Sequence, residues 1–259
     1  MTARLFAATT LLFAATTLSA QPYKYLVSVA TFKVPPTNQH AFVEKGKVFA
    51  PVLDKLMASG SVLAYGIDTD ILHVPGETNV AFWVVVPNYE ALDKEGAAIE
   101  EFIAANPGVM QELTAMSDPA AHHDLIIRTR EESHKSAPPG STPIGDFDMV
   151  RVKPGHMQEF MELFRKYDKP VYEKLVADGV IYAYELDTEA VHTMEPGLMW
   201  TIVTMPNLAA KDKVNAAFEE ADKNLPEAER NMFQKLYLDV VVPGSHRDSL
   251  SISQVYKAK

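Results

Sequence analysis

No cysteine occurs in the chain. That one absence removes disulfides, thiolate metal sites, iron–sulfur clusters and a cysteine nucleophile together. A core without cross-links must hold the fold by burial alone. Long apolar runs are also missing. The stretch LFAATTLLFAATTL at 5–18 rises about 1.5 Å per residue as a helix, too little to cross about 30 Å of hydrocarbon comfortably. Basic residues are in the minority, 24 against 34 acidic ones, for a net charge of −10. Such a surface repels phosphate backbones and argues against nucleic acid as a partner. No Gly-rich phosphate loop follows a strand, and there is no G-x-S-x-G elbow, Walker motif or EF-hand loop.

What is present begins with a leader pattern. Arg4 precedes the apolar run, and SAQP closes it with small residues. This is the order of a secretory signal peptide, with cleavage expected after Ala20. The mature protein is therefore expected to be periplasmic or secreted, with no membrane contact after cleavage.

Internal duplication dominates the remainder. AYGIDTDILHV at 64–74 and AYELDTEAVHT at 183–193 repeat Ala-Tyr, Asp-Thr and His at equal spacing. A shift of 119 also matches Pro51 with Pro170, Gly60 with Gly179, and Asn88 with Asn207. Upstream, Val34/Val152 and Phe42/Phe160 require a shift of 118. One residue is thus inserted near Pro170, where a helical proline already interrupts the hydrogen-bond ladder.

Each copy reads as βαββαβ. In the first, YKYLVSVATFKV is a strand, 37–60 a helix, SVLAYGIDTDILHV and NVAFWVVV strands, NYEALDKEGAAIEEFIAANP a helix, and HDLIIRTRE a strand. In the second the closing strand is expected at YLDVVVP, leaving 244–259 as a tail or an added edge strand. The division is leader 1–20, repeat 21–131, linker 132–143, repeat 144–243 and tail 244–259. Residues 80–86 are apolar on both faces, so each sheet must be covered twice, by its own helices and by the other copy. The fold class is α+β: two tandem ferredoxin-like repeats whose antiparallel sheets pack face to face as an intrachain α+β barrel.

At this point the chain resembles the dimeric α+β barrel proteins in tandem form. VRVKPGHMQEFMELFRK at 150–166 is similar to the strand-to-helix join of antibiotic-monooxygenase-like and NIPSNAP-like members. The resemblance spans the mature chain as a fold pattern. It implies a barrel that holds a small, partly apolar molecule, with cofactor-independent oxygenation or isomerisation as its chemistry. The candidate acid–base residues are His73, His192 and Asp187, and the candidate ligand contacts are Tyr65, Tyr184, Tyr182, Trp83 and Arg151. The structural role of the repeated phrase competes with this. Asp-Thr favours turns and bulges through side-chain bonds to nearby amides, and strand-end histidines commonly bond backbone carbonyls.

Two alternatives stand beside the first. A haem protein of the chlorite-dismutase-like type would use a proximal histidine and a distal arginine, for which His192 and Arg151 are the candidates. A non-catalytic protein would fill the barrel with its own side chains. No metal is expected, since no His-x-x-x-His or Glu-x-x-His spacing accompanies the histidines. The expected partner is a small-molecule ligand, bound by a monomer or homodimer.

Overall fold

The computed structural model describes residues 24–258 apart from 73, 75 and 139. The leader at 1–20 and His73 lie outside the described residues. β1 (Leu26–Lys33) leads to α1 (Gln39–Gly46), which passes through a 3-10 turn at Lys47–Phe49 into α2 (Ala50–Ser59). β2 (Ala64–Asp70), β3 (Val80–Val86), α3 (Tyr89–Ala105), α4 (Pro107–Met116) and β4 (Asp118–His134) complete the first repeat. The second runs β5 (Ile144–Arg151), α5 (Met157–Leu163), a π-helical turn at Phe164–Asp168, α6 (Lys169–Ala177), β6 (Ala183–Glu189), β7 (Leu198–Met205), α7 (Ala209–Asn224), α8 (Glu227–Val240) and β8 (Arg247–Ala258).

The strands close into a barrel in the order β1-β3-β2-β8-β5-β7-β6-β4, every neighbour antiparallel. Each repeat donates its last strand across the joint: β4 pairs with β6, and β8 pairs with β2. Alternation then sorts the apolar strands. Val80, Val84 and Val86 pack outward under the helices with Phe42, Leu53 and Leu113, while Ala81, Trp83 and Val85 face the barrel interior. An equivalent core in the second repeat gathers Phe160, Phe164, Leu175, Leu186 and Met199.

The inserted residue has a structural home. A π turn closes i→i+5 bonds and so carries one residue more than an α turn. It falls at Phe164–Asp168, between the matches that need a shift of 118 and those that need 119. The first repeat has a tighter 3-10 turn in that place. Downstream, both copies return to register, and Gly60 (φ +83°) and Gly179 (φ +71°) follow the helix ends in the left-handed conformation that glycine adopts without strain.

One strand differs from the sequence expectation. Tyr237–Val240 continues α8, and Val241 makes only an isolated bridge to Val152. A short apolar run does not distinguish a buried helix end from a strand, and Phe233, Tyr237, Val240 and Val241 pack on the second core. The closing strand is instead β8, in the segment expected as a tail or edge strand. It lies between β2 and β5, hydrogen-bonded on both sides. Its outward Leu250 and Ile252 alternate with inward Ser251 and Ser253, a half-polar pattern that looks less like a barrel strand than VVV does. Similarly, β4 extends to His134, three residues into the expected linker.

Candidate ligand site inside the barrel

The repeated phrase places its two faces in two different environments. Tyr65 and Ile67 turn toward the helices of the first repeat, and Tyr184 and Leu186 do the same in the second. Tyr65 donates from its hydroxyl to Asp54 Oδ1 at 2.7 Å. Tyr184 is fully buried and stacks on Tyr172 with ring centroids 5.2 Å apart. The aspartates point the other way, into the barrel.

Their settings are related by the repeat. Asp68 lies opposite Ser253 of β8, and Asp187 lies opposite Thr129 of β4. Immediately beyond each pair, the long closing strand has a bulge: the register shifts between Ile67 and Asp68 on the β2 side and between Thr129 and Glu131 in β4. Bulges bend a strand and increase its twist. Asp-Thr therefore marks where each repeat's strand meets the bent strand of the other.

The matched aspartates differ in how they are satisfied. Ser253 Oγ donates to Asp68 Oδ1 at 2.7 Å, while burial lifts the Asp68 carboxyl to about 6. Asp187 is 1% exposed, and neither of its carboxyl oxygens makes a hydrogen bond of ordinary geometry, the facing Thr129 hydroxyl included. Burial first, and the nearby Glu185 second, hold it well above the ordinary carboxylate range, against a smaller opposing pull from the Thr129 hydroxyl. Glu185 itself is lifted to about 7, chiefly by burial; the Tyr25 hydroxyl bonded to it acts in the opposite sense. Close buried carboxyls titrate as a pair, the first ionisation disfavouring the second.

These groups line a cavity of about 620 Å³ inside the barrel. Its wall carries Trp83, Trp200, Phe147, Tyr25 and Tyr256, with Val27, Val29 and Ile127 between them. Trp83 and Tyr256 approach to 5.8 Å between ring centroids. The two repeats have diverged here. Where the second carries Glu185, the first has Gly66, and a Cβ at that position would stand 2.3 Å from Trp83 Cζ2. The missing side chain is the slot in which the indole lies. A second, smaller cavity of about 230 Å³ sits between helices and sheet in the first repeat, with Phe32, Phe49 and Phe82 on its wall. Its Glu95 is raised by burial.

Of the residues singled out from sequence, Trp83 and Asp187 share the barrel cavity. Tyr65 lines the smaller cavity instead. Tyr184 belongs to the outer core. Tyr182 lies just before β6, its backbone bonded to Thr204 and Lys135. Arg151 is ion-paired with Glu195. His192 is exposed on the loop after β6. That loop and the one after β2 leave the same barrel mouth, since β2 and β6 are four antiparallel steps apart, but His192 lines neither cavity. The haem arrangement needs a histidine and an arginine on one cavity. His192 and Arg151 do not provide it, since neither lines the barrel cavity.

Sequence reasoning passed over Glu185, Tyr25, Phe147, Ser253 and Tyr256. Strand alternation offered a signal for Glu185, which shares a face with Asp187. Ser253 and Tyr256 were hidden because their strand was not recognised as part of the barrel.

No protein-family model and no curated protein matches the sequence. Solved structures do resemble it. A proposed monooxygenase of Fusobacterium nucleatum superposes with a TM-score of 0.64 at 12% identity, covering 92% of this chain and 95% of that one. An anthrone oxidase-like protein gives 0.55 at 13% identity, covering 91% and 93%. A heme-binding protein of Thermus thermophilus gives 0.50 at 10% identity, covering 90% and 92%. The chain has the dimeric α+β barrel fold. Here both halves of that barrel come from one polypeptide, and among its described residues no helix is long and apolar enough to cross a membrane.

Proposed function

We propose that the protein binds a small, partly apolar molecule inside the barrel and exchanges a proton with it at the Glu185–Asp187 pair, in a cofactor-independent oxygenation or isomerisation. The observation that carries this reading is Asp187, an unpartnered carboxyl on the wall of a 620 Å³ cavity. Cavities of about 300–1,000 Å³ with apolar walls and a few convergent polar groups are the usual form of small-molecule sites. A buried polar group without a partner costs about 1–3 kcal/mol, a cost that a bound ligand with a matching group removes. Paired carboxyls that burial holds above the ordinary carboxylate range can both take and return a proton, the step common to both chemistries. The solved monooxygenase-like and anthrone oxidase-like structures lend the fold to this reading; the proton-transfer assignment rests on the cavity.

The same reading takes residues 1–20 as a secretory leader and the mature protein as periplasmic or secreted. Amino-terminal sequencing of protein from its native source tests that part, with Gln21 as the expected first residue. The ligand is tested by denaturing native-source protein and identifying released molecules by mass spectrometry. A small molecule recovered near one per chain is expected, and it should be depleted in Asp187→Asn protein. Recovery of nothing, with no apolar compound bound in solution, would defeat the proposal.

A further inference from the structure

We propose that the ligand of the barrel is an organic cation, an amine on an aromatic or apolar body, whose ammonium group sits against Asp187 and Glu185. This rests on the preceding reading and names the chemical class of the ligand.

The charges on the cavity wall are strongly one-sided. Asp68, Asp70, Glu77, Glu132, Glu185 and Asp187 are acidic. Of the basic side chains among the described lining residues, His134 Nδ1 lies 2.9 Å from Glu132 Oε2, and Lys135 Nζ donates at 2.6 Å to the carbonyl of Ala177, a residue outside the lining set. Arg165 and Lys169, which bind Glu131 at 2.6 and 2.8 Å, do so outside the cavity. The two oxygens of Asp187, which make no hydrogen bond, thus face a cavity whose described lining carries six acidic side chains against two basic ones, Lys135 and His134. A buried carboxylate in that position is stable only when protonated or when a cation comes to it. An ammonium group supplies up to three donors and a full positive charge in one small head.

The remainder of the wall suits the body of such a ligand. Tyr25 and Tyr256 both lie within the electrostatic reach of Glu185, and Tyr256 also within that of Asp68. Aromatic faces attract cations within about 6 Å of the ring centroid, most strongly when water is excluded. Carboxylates backed by aromatic rings therefore favour a positive ligand twice over. An anionic ligand would meet repulsion from each of the named groups that is ionised and would gain nothing from the aromatic faces.

The chain has two tryptophans, and both Trp83 and Trp200 stand on the cavity wall. Fluorescence excited at the indole band therefore reports the interior directly. The test titrates full-length mature protein with three probes of one shape: 4-phenylbutylamine, 4-phenyl-1-butanol and 4-phenylbutyrate, with calorimetry in parallel. The amine is expected to bind at least tenfold more tightly than the alcohol, and the carboxylate not to bind. Asp187→Asn is expected to erase most of that preference by lowering amine affinity more than alcohol affinity; Glu185→Gln provides a second variant should the first fail to fold. Alcohol binding equal to amine binding, or a preference unchanged in both variants, overturns the cation assignment and leaves the barrel as a binding site. Failure of all three probes, with no small molecule recovered from native-source protein, overturns both.

Discussion

At the scale of single residues, the most consequential feature is a set of carboxyls held out of water. Glu185 titrates at about 7, Asp68 at about 6, and Asp168 of the π turn at about 7, in each case mainly because of burial. All lie above their ordinary values, so between the ordinary carboxylate range and pH 7 the folded chain binds more protons than the unfolded one. Stability therefore falls as pH rises through that window. A shift the size of that at Glu185 corresponds to on the order of 3 kcal/mol. Thermal unfolding is expected at a higher temperature at pH 5 than at pH 8. Asp187→Asn removes one of the groups that must ionise, so it should raise the melting temperature at pH 8 and flatten the pH slope. Calorimetry across pH 5–8 checks both, and a melting temperature that rises with pH in both proteins would refute the account. Exposed pairs such as Glu90–Lys94 act in the opposite sense, but only once pH drops below the ordinary carboxylate range. At this scale the sequence was half legible. The alternation of AYELDTE separates Tyr184 from Asp187, yet it does not say which set faces the other repeat. The tyrosine side follows the helices because it is the greasier, and the aspartates take the interior. His192 drew notice by its repetition, but repetition marks a shared loop shape as readily as shared chemistry.

Elements carry the record of the duplication. The slip from 118 to 119 is visible in the letters alone, but the π turn that absorbs it is not, because i→i+5 bonding leaves no compositional trace. Removing one residue from an extra-wide turn converts it to α-helix while both flanks keep their faces. Lys166 is exposed within that turn, so its deletion is expected to give a folded protein of unchanged helix content. The loss should stay near that of the Lys166–Glu229 surface pair, typically about 0–1 kcal/mol. Circular dichroism and a urea melt suffice; a collapsed melt would show that the turn is not an absorbed insertion. β8 makes the opposite case. Its residues were visible but read as peripheral, because serines alternate with Leu250 and Ile252 where the other strands carry valines. A serine belongs in this wall because the wall encloses a polar interior: Ser253 is the donor to Asp68. Ending the chain at Pro243 would leave β2 and β5 each with an open edge, a template for pairing with other chains. Loss of a monomeric folded species on gel filtration is the expected result, and a stable monomer without residues 244–259 would contradict the closed barrel.

For the whole molecule, the joint between repeats decides what the fold can become. Each half lends its last strand to the other, so neither completes its own sheet. Residues 24–136 alone should therefore associate as a homodimer, with β4 of one copy on β2 of the other and Thr129 opposite Asp68, as it now lies opposite Asp187. That dimer would lack two things. Glu131 would lose Arg165 and Lys169, since Lys47 and Ala50 stand at the matching positions. Its interior would be symmetric, with Asp68, Gly66 and Trp83 each present twice and Glu185 absent. Joining both halves in one chain raises their effective concentration, and it also lets them diverge: Glu185 on one side, a glycine slot filled by Trp83 on the other. The carboxyl pair and the facing indole exist together only because the barrel is a single polypeptide. Sedimentation equilibrium of residues 24–136 is expected to show dimer at micromolar concentration, weaker toward urea than the full chain, with no amine preference in the tryptophan titration. A well-behaved monomer would mean that β4 does not require a partner across the joint, and the exchange of closing strands would no longer explain the fold.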